Sequence, residues 1–315
     1  MKTEITSFDI HFLAQELQSL VNNRLDKAYI LEDRGLLLTF SNKTFLQAMP
    51  GKIWTPPTKP ETPEKIHPFA AQLRKLIGNA KILGIKQACS ERILALHLTR
   101  SEKEFVLYIE AFGRGNFVLC DNSGIMIASL VQNKRVQKGL AYKLPETTDT
   151  FHLDETEFAL KFSQSTDNVS KTIAVQFGLG KNLAEEICVR TGVPVTDKAT
   201  PEHAKDIYPE LQKMLKQKTS PQLIFDGAII IDATPIPFQS CANKKRENTN
   251  SFGQALARLF ALPAEAVQKQ KTMPLQQQTK KINTMIQIQQ KRMHELGQKS
   301  LEERKKGEFI YEHYQ

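Results

Sequence analysis

An α+β fold is predicted, and three observations predict it. Between Leu25 and Leu130, short apolar runs alternate with Gly, Asn and Asp turns, the pattern of antiparallel strands. Two amphipathic stretches, residues 7–22 and 68–77, carry apolar side chains at helical spacing. From about residue 150 the strand pattern gives way to helices grouped around Gly178-Leu179-Gly180.

The elements follow in order. Thr6 or Ser7 can cap the first helix, whose apolar face is Phe8, Phe12, Leu13, Leu17, Leu20 and Val21. Strands are expected over residues 25–31, 36–40, 44–48 and 52–55. Prolines 56, 57, 60, 63 and 68 then make a semi-rigid connector, because proline can enter neither a sheet interior nor a helix interior. It leads into the cationic helix 68–77, with Arg74 and Lys75 on its polar face, which ends at Gly78-Asn79. Further strands are expected over residues 81–88, 92–99, 105–110, 116–120 and 126–130, the second opening on the adjacent pair Glu91-Arg92. Gly113-Arg114-Gly115 and Asp121-Asn122-Ser123-Gly124 supply hairpin turns. Lys134, Arg135 and Lys138 form a short basic rim, read either as a solvated loop or as a nucleic-acid contact.

Residues 158–162, 169–177 and 183–190 are amphipathic, so Gly178-Leu179-Gly180 joins two helices. Glycines let a turn approach a phosphate closely, and the following helix start, with Lys181 beside it, adds positive potential. The same hairpin also serves as plain scaffolding in other settings. An apolar strand pair is expected over residues 221–237, a mobile polar loop over 243–250, and a helix from Ser251. Leu275, Thr279, Ile282, Ile286, Gln289, Met293 and Leu296 then alternate three and four spacings, which predicts one strand of a coiled coil. Four units are expected: 1–148, 149–218, a return segment 219–262, and 263–315.

Composition bounds the function. With 40% apolar residues in 315, the chain supports real cores. Cys89, Cys120, Cys188 and Cys241 show no C-x-x-C pair, so neither a disulfide framework nor a metal site is expected. No apolar run reaches membrane-spanning length and the first residues lack a signal core, so a cytoplasmic protein without a membrane partner is expected. The 43 basic against 34 acidic residues give +9, which favours polyanionic partners. No nucleophile, base and orienter can be assembled from local motifs. Gly113-x-Gly115 lacks the third glycine of a dinucleotide fingerprint and no Walker motif occurs, so no cofactor is expected.

Ile5-Thr6-Ser7-Phe8-Asp9-Ile10, the block from Pro68 to Ile82 with Ser90-Glu91-Arg92, Gly113-Arg114-Gly115-Asn116, Gly139-Leu140-Ala141-Tyr142 and Lys306-Gly307-Glu308-Phe309-Ile310-Tyr311 together resemble the NFACT family. These are ribosome-associated quality-control factors, also called fibronectin-binding-protein-A-like. The resemblance runs nearly end to end. It implies a β-rich NFACT-N domain on the plan of formamidopyrimidine-DNA glycosylases, a helix-hairpin-helix domain at Gly178, Gly180 and Lys181, and the first arm of an antiparallel coiled coil. The chain is then expected to be the amino-terminal part of a longer protein, able to self-associate through an unpaired arm.

The resemblance also implies tRNA as partner, on a large ribosomal subunit holding peptidyl-tRNA, with tailing chemistry performed by the ribosome rather than by this chain. The family's tRNA-engaging residues fall on Asp9, Glu91 and Arg92, with Glu91 in place of the usual aspartate. Arginine can bind phosphate or a guanine edge bidentately, whereas a carboxylate accepts from base amino groups or a ribose hydroxyl. By residue type alone, Asp9 can equally satisfy first-turn helix amides, and Glu91-Arg92 can be an exposed pair. Two rivals remain. A DNA-glycosylase-type enzyme needs an amino-terminal proline nucleophile, where this chain has Met1-Lys2-Thr3-Glu4. A structural coiled-coil adaptor or adhesin needs no nucleic acid.

Overall fold

In the computed structural model, which describes residues 1–260, helix α1 (Ser7–Glu16) is the centre around which the rest packs. Thr6 caps it. The Thr6 hydroxyl accepts from the Asp9 amide while the Asp9 carboxylate accepts from the Thr6 amide, so two otherwise orphaned donors are satisfied reciprocally. Phe8, Ile10, Phe12 and Leu13 are all buried, which places apolar side chains on more than one face of the helix. The expected continuation to residue 22 is instead a 3₁₀ turn, Leu17–Leu20. There the Gln18 amide donates to the carbonyls of Ala14 and Ile85 and so ties the helix end to a strand.

The first sheet is an antiparallel meander of β1 (Leu25–Ile30), β2 (Leu36–Phe40), β3 (Phe45–Met49) and β4 (Lys52–Trp54). Helix α2 (Pro68–Ile77) starts on Pro68, with the His67 ring accepting from the Phe69 amide, and packs against β1. Arg74 of the cationic helix is not free. Its Nε donates to the Ala28 carbonyl at 2.8 Å and its guanidinium covers the Tyr29 ring at 4.4 Å.

The second sheet is a five-stranded antiparallel meander: β5 (Lys81–Gln87), β6 (Ile93–Arg100), β7 (Lys103–Glu110), β8 (Asn116–Asp121) and β9 (Met126–Ser129). Glu91 and Arg92 precede β6 rather than opening it. They sit in a bend after Cys89, whose φ is +53°, and the Glu91 carboxylate holds the Arg92 amide at 3.2 Å.

Helices α3 (Glu155–Ser163), α4 (Val169–Lys171), α5 (Lys181–Thr191) and α6 (Pro201–Leu215) follow, with a π-helical turn, Thr172–Gln176, continuing α4. Helix α6 carries Pro209 in its interior yet buries Ile207, Leu211 and Met214. A third sheet has order β11-β10-β12, from β10 (Gln222–Asp226), β11 (Ile229–Thr234) and β12 (Lys245–Asn248). The expected mobile loop at 243–250 is therefore corrected: its centre is an edge strand paired with β10. All four β12 side chains are exposed, so no apolar alternation marks it; backbone pairing with β10 holds it, joined by the Gln222–Asn248 hydrogen bond and the Arg258–Glu247 ion pair.

Helix α7 (Phe252–Phe260) is capped from a distance by Glu16, whose carboxylate accepts from the Ser251 hydroxyl and the Phe252 and Gly253 amides. A Cβ at Gly253 would lie 2.2 Å from Thr55 Oγ1, so only glycine fits there. Helix α1, the three sheets and the helical segment share one apolar core. The coiled-coil stretch, with Leu275 through Leu296, lies outside the described residues.

Candidate nucleic-acid interface

The segment preceding α1 is stitched to all three sheets. The Ile5 amide donates to Gly51 between β3 and β4, the Gly51 amide to Ala111 after β7, and the Lys2 amide to Ile231 in β11. Lys2 Nζ then reaches inward. It donates to Asp9 Oδ1 at 2.9 Å and to the Ala233 carbonyl at 2.8 Å, and lies 3.2 Å from Asp232 Oδ1. Burial works to lower the Lys2 pKa, but the charges of Asp232 and Asp9 outweigh it and hold the ammonium above its ordinary 10.5. Asp232 Oδ2 in turn accepts from the Asn182 amide at 2.7 Å. Asp9, Lys2, Asp232 and Asn182 thus link the start of α1 to the first turn of α5.

That first turn has a particular construction. The amides of Gly178, Leu179 and Gly180 donate to the carbonyls of Val175, Ile173 and Ala174, so the outward-facing amides expected of this turn are in fact spent on the π turn. Gly178 and Gly180 have φ of +67° and +79°, which glycine adopts without strain. Gly180 caps α5 with no side chain, and among the described residues the amides of Lys181, Asn182 and Leu183 meet no protein acceptor. These three amides are the ones able to meet an anion. They border a cavity of about 490 Å³ that also meets Glu4, Thr6, Asp9 and Lys244. Beside the buried Lys2, its cations are Lys181, 78% exposed and 3.6 Å from Glu185, and Lys244, 3.9 Å from Asp226.

The anticipated residues divide between this site and elsewhere. Asp9 is at the site but only 1% exposed, with both oxygens engaged by Lys2 and Thr6. Arg92 reaches the site through Glu4: its guanidinium is 2.5 Å from Glu4 Oε2, and its side chain is 29% exposed. The Glu91 side chain stays with the Arg92 amide, apart from Asp9. Gly178, Gly180 and Lys181 stand at the hairpin, with the Gly178 carbonyl accepting from the Ser7 hydroxyl at 3.2 Å.

The basic rim is only partly a rim. Lys134 and Lys138 are exposed, but Arg135 turns inward to Glu110 at 2.5 Å and stands over the rings of Phe112 and Tyr142. Burial and then the Glu110 charge push the Tyr142 hydroxyl well above its ordinary 10. Lys2, Glu4, Asn182, Asp232 and Lys244 were not anticipated. Asn182 alone carried a local signal, its place two residues after the Gly-x-Gly turn, beside Lys181; the others meet the site only through tertiary pairing.

Behind the site, α5 is fixed by buried charge. Glu186, wholly inaccessible, accepts from Arg190 Nε at 2.5 Å and from the amides of Gln239 and Ser240 at 2.8 Å each. Arg190 also reaches Glu210 and the Pro237 carbonyl.

A family profile described as "NFACT N-terminal and middle domains" matches residues 6–315. The archaeal Rqc2 homolog aRqcH of Methanocaldococcus jannaschii is 25% identical over 345 residues, covering 100% of this chain and 51% of that protein. The human ribosome quality control complex subunit NEMF is 26% identical over 132 residues, 40% of this chain and 12% of that one. The chain thus spans about half the length of its archaeal relative and a smaller part of the human one. Among solved structures, the fibrinogen binding protein from Staphylococcus aureus superposes with a TM-score of 0.67 at 18% identity, covering 81% of this chain and 99% of that one. At that identity the likeness concerns the fold.

Proposed function

Because the chain belongs to the NFACT family, we propose that it is an RNA-binding factor of ribosome quality control, engaging the large subunit obstructed by peptidyl-tRNA and recruiting tRNA for tailing of the stalled chain. The observation that carries this reading is the uncapped start of α5, three unpartnered amides beside Lys181 on a cavity wall that also carries Lys244. Such a helix start is a phosphate-accepting arrangement independent of base sequence. In this reading the π turn, the Gly-x-Gly turn and α5 act as a helix-hairpin-helix grip on the backbone. Arg92 is the group that exchanges Glu4 for an RNA phosphate or a guanine edge. Asp9 acts through Lys2 and Asp232 by holding the α5 start in place, while Glu91 positions the Arg92 backbone.

The chemistry belongs to the ribosome in this reading, and the protein is a cytoplasmic binding factor with no catalytic role. Lys2 does not serve as an amine nucleophile in place of proline, since two carboxylates keep it protonated. The test is filter binding of tRNA at low salt. Lys181→Ala and Arg92→Ala are each expected to weaken binding, and wild type equal to both variants, or no affinity in the wild type, overturns the tRNA reading.

A further inference from the structure

A second cavity, of about 630 Å³, meets α1 through His11, Gln15 and Gln18, whereas the first meets it through Thr6, Phe8 and Asp9. It is closed on its other sides by the end of β5 and the carboxy-terminal turn of α6. No carboxylate lines it. Its rim carries Lys86, Lys216 and His152, all exposed, and among the described residues neither lysine has an ion-pair partner. The nearest acids lie behind the wall: Asp149, engaged by Ser90 and His152, and Glu91, near Cys89.

The interior is uncharged, with apolar walls from Ala14, Ile85, Phe151 and Leu215 between glutamine side chains. The Gln18 amide nitrogen is spent on the carbonyls of Ala14 and Ile85, that of Gln87 on Ser7 and Glu91, and that of Gln212 on Phe151. Among the described residues no protein donor reaches the three amide oxygens. His11 Nε2 lies 3.0 Å from the Leu215 carbonyl and 2.8 Å from the Gln15 side-chain amide; because a carbonyl only accepts, the tautomer that donates to Leu215 leaves Nδ1 as an acceptor. Burial, helped by nearby His152, keeps this ring below its ordinary 6.5 against the pull of Leu215, so it is neutral at pH 7. The His11 and Phe151 rings meet edge to face, centroids 5.6 Å apart.

Acceptors under a cationic rim select a ligand whose uncharged part donates hydrogen bonds and whose one end is anionic. We propose that this cleft binds a single unpaired nucleotide. Its exocyclic amino group and ribose hydroxyls donate to the oxygens of Gln18, Gln87 and Gln212, its base lies against His11 and Phe151, and its phosphate is held at the rim by Lys86 and Lys216. The volume falls in the ordinary range for such ligands, roughly 300–1,000 Å³. A free mononucleotide and one nucleotide of a strand share this chemistry. The site is separate from the α5 cavity and does not depend on it.

The test titrates the full chain with AMP, adenosine and a short oligoadenylate, following the glutamine side-chain amide resonances by NMR. AMP or the oligoadenylate is expected to shift Gln18, Gln87 and Gln212 saturably. Binding by AMP identifies a free-nucleotide site; binding by the oligoadenylate alone identifies a strand site. The double variant Lys86→Gln/Lys216→Gln, altered only at exposed positions, is expected to weaken the phosphorylated ligand about tenfold while leaving adenosine binding, where measurable, unchanged. The proposal is overturned if neither phosphorylated ligand shifts these amides at millimolar concentration, or if the double variant binds as the wild type does. Loss of oligoadenylate binding in Lys181→Ala but not in the double variant would remove this site while leaving the α5 reading intact.

Discussion

At the scale of single residues, Asp9 and Arg92 do opposite work, although both were marked by the same resemblance. Asp9 is buried between Thr6 and a buried ammonium, so Asp9→Ala leaves Lys2 with one carboxylate and removes the side-chain half of the α1 capping box. A loss of about 2 kcal/mol is expected, the range for a hydrogen bond to a charged partner, read as a lower urea midpoint with an unchanged slope. Arg92→Ala breaks a pair whose Glu4 partner is 61% exposed, and should cost under about 1 kcal/mol. A large fall in the Arg92→Ala midpoint would contradict that assignment.

His11 supplies a pH dependence. Its folded pKa is depressed, chiefly by burial, so the unfolded chain binds the proton more readily and stability is lost as pH falls below 6.5. Urea midpoints for wild type should fall between pH 7.5 and 5.5 more steeply than those of His11→Gln.

At the scale of elements, most of the architecture was legible because most elements carry their own local signal. Pro68 marked the start of α2, Gly and Asn turns marked the hairpins of the second sheet, and Gly178-Leu179-Gly180 marked the turn before α5. The exceptions have physical causes. β12 is held by backbone pairing with charged side chains in water, so its sequence reads as a loop. The Gly-x-Gly amides read as free because nothing in their spacing discloses a π turn that consumes them. The candidate site was half legible: Lys181 and Arg92 stood out by type, but Lys2 and Asp232 are 230 residues apart and meet only in the fold. Helix α5 itself depends on Glu186. Glu186→Ala leaves Arg190, 10% exposed, with only Glu210 and a carbonyl, and about 3 kcal/mol of destabilisation is expected in urea unfolding.

At the scale of the whole molecule, the net charge of +9 favours polyanionic partners in general, and on the proposed reading the start of α5 is where RNA phosphate meets the chain. The logarithm of the tRNA association constant should fall linearly with the logarithm of salt concentration, and Lys181→Ala should reduce the slope by roughly 0.7 to 0.9, one phosphate contact. An unchanged slope would place Lys181 off the RNA. The stitching of residues 2 to 5 to Gly51, Ile231 and Ala233 carries a further consequence, for the order in which the fold is completed. Residues 2 to 5 are among the last to find their places, because two of their anchors lie more than two hundred residues further along the chain. A chain ending at residue 218, without the third sheet, should therefore hold its first two sheets without a docked Lys2, and lose cooperative unfolding. During synthesis the cavity beside α5 stays open until β11 emerges, so on the proposed reading its grip on RNA is complete only once that strand has closed the site.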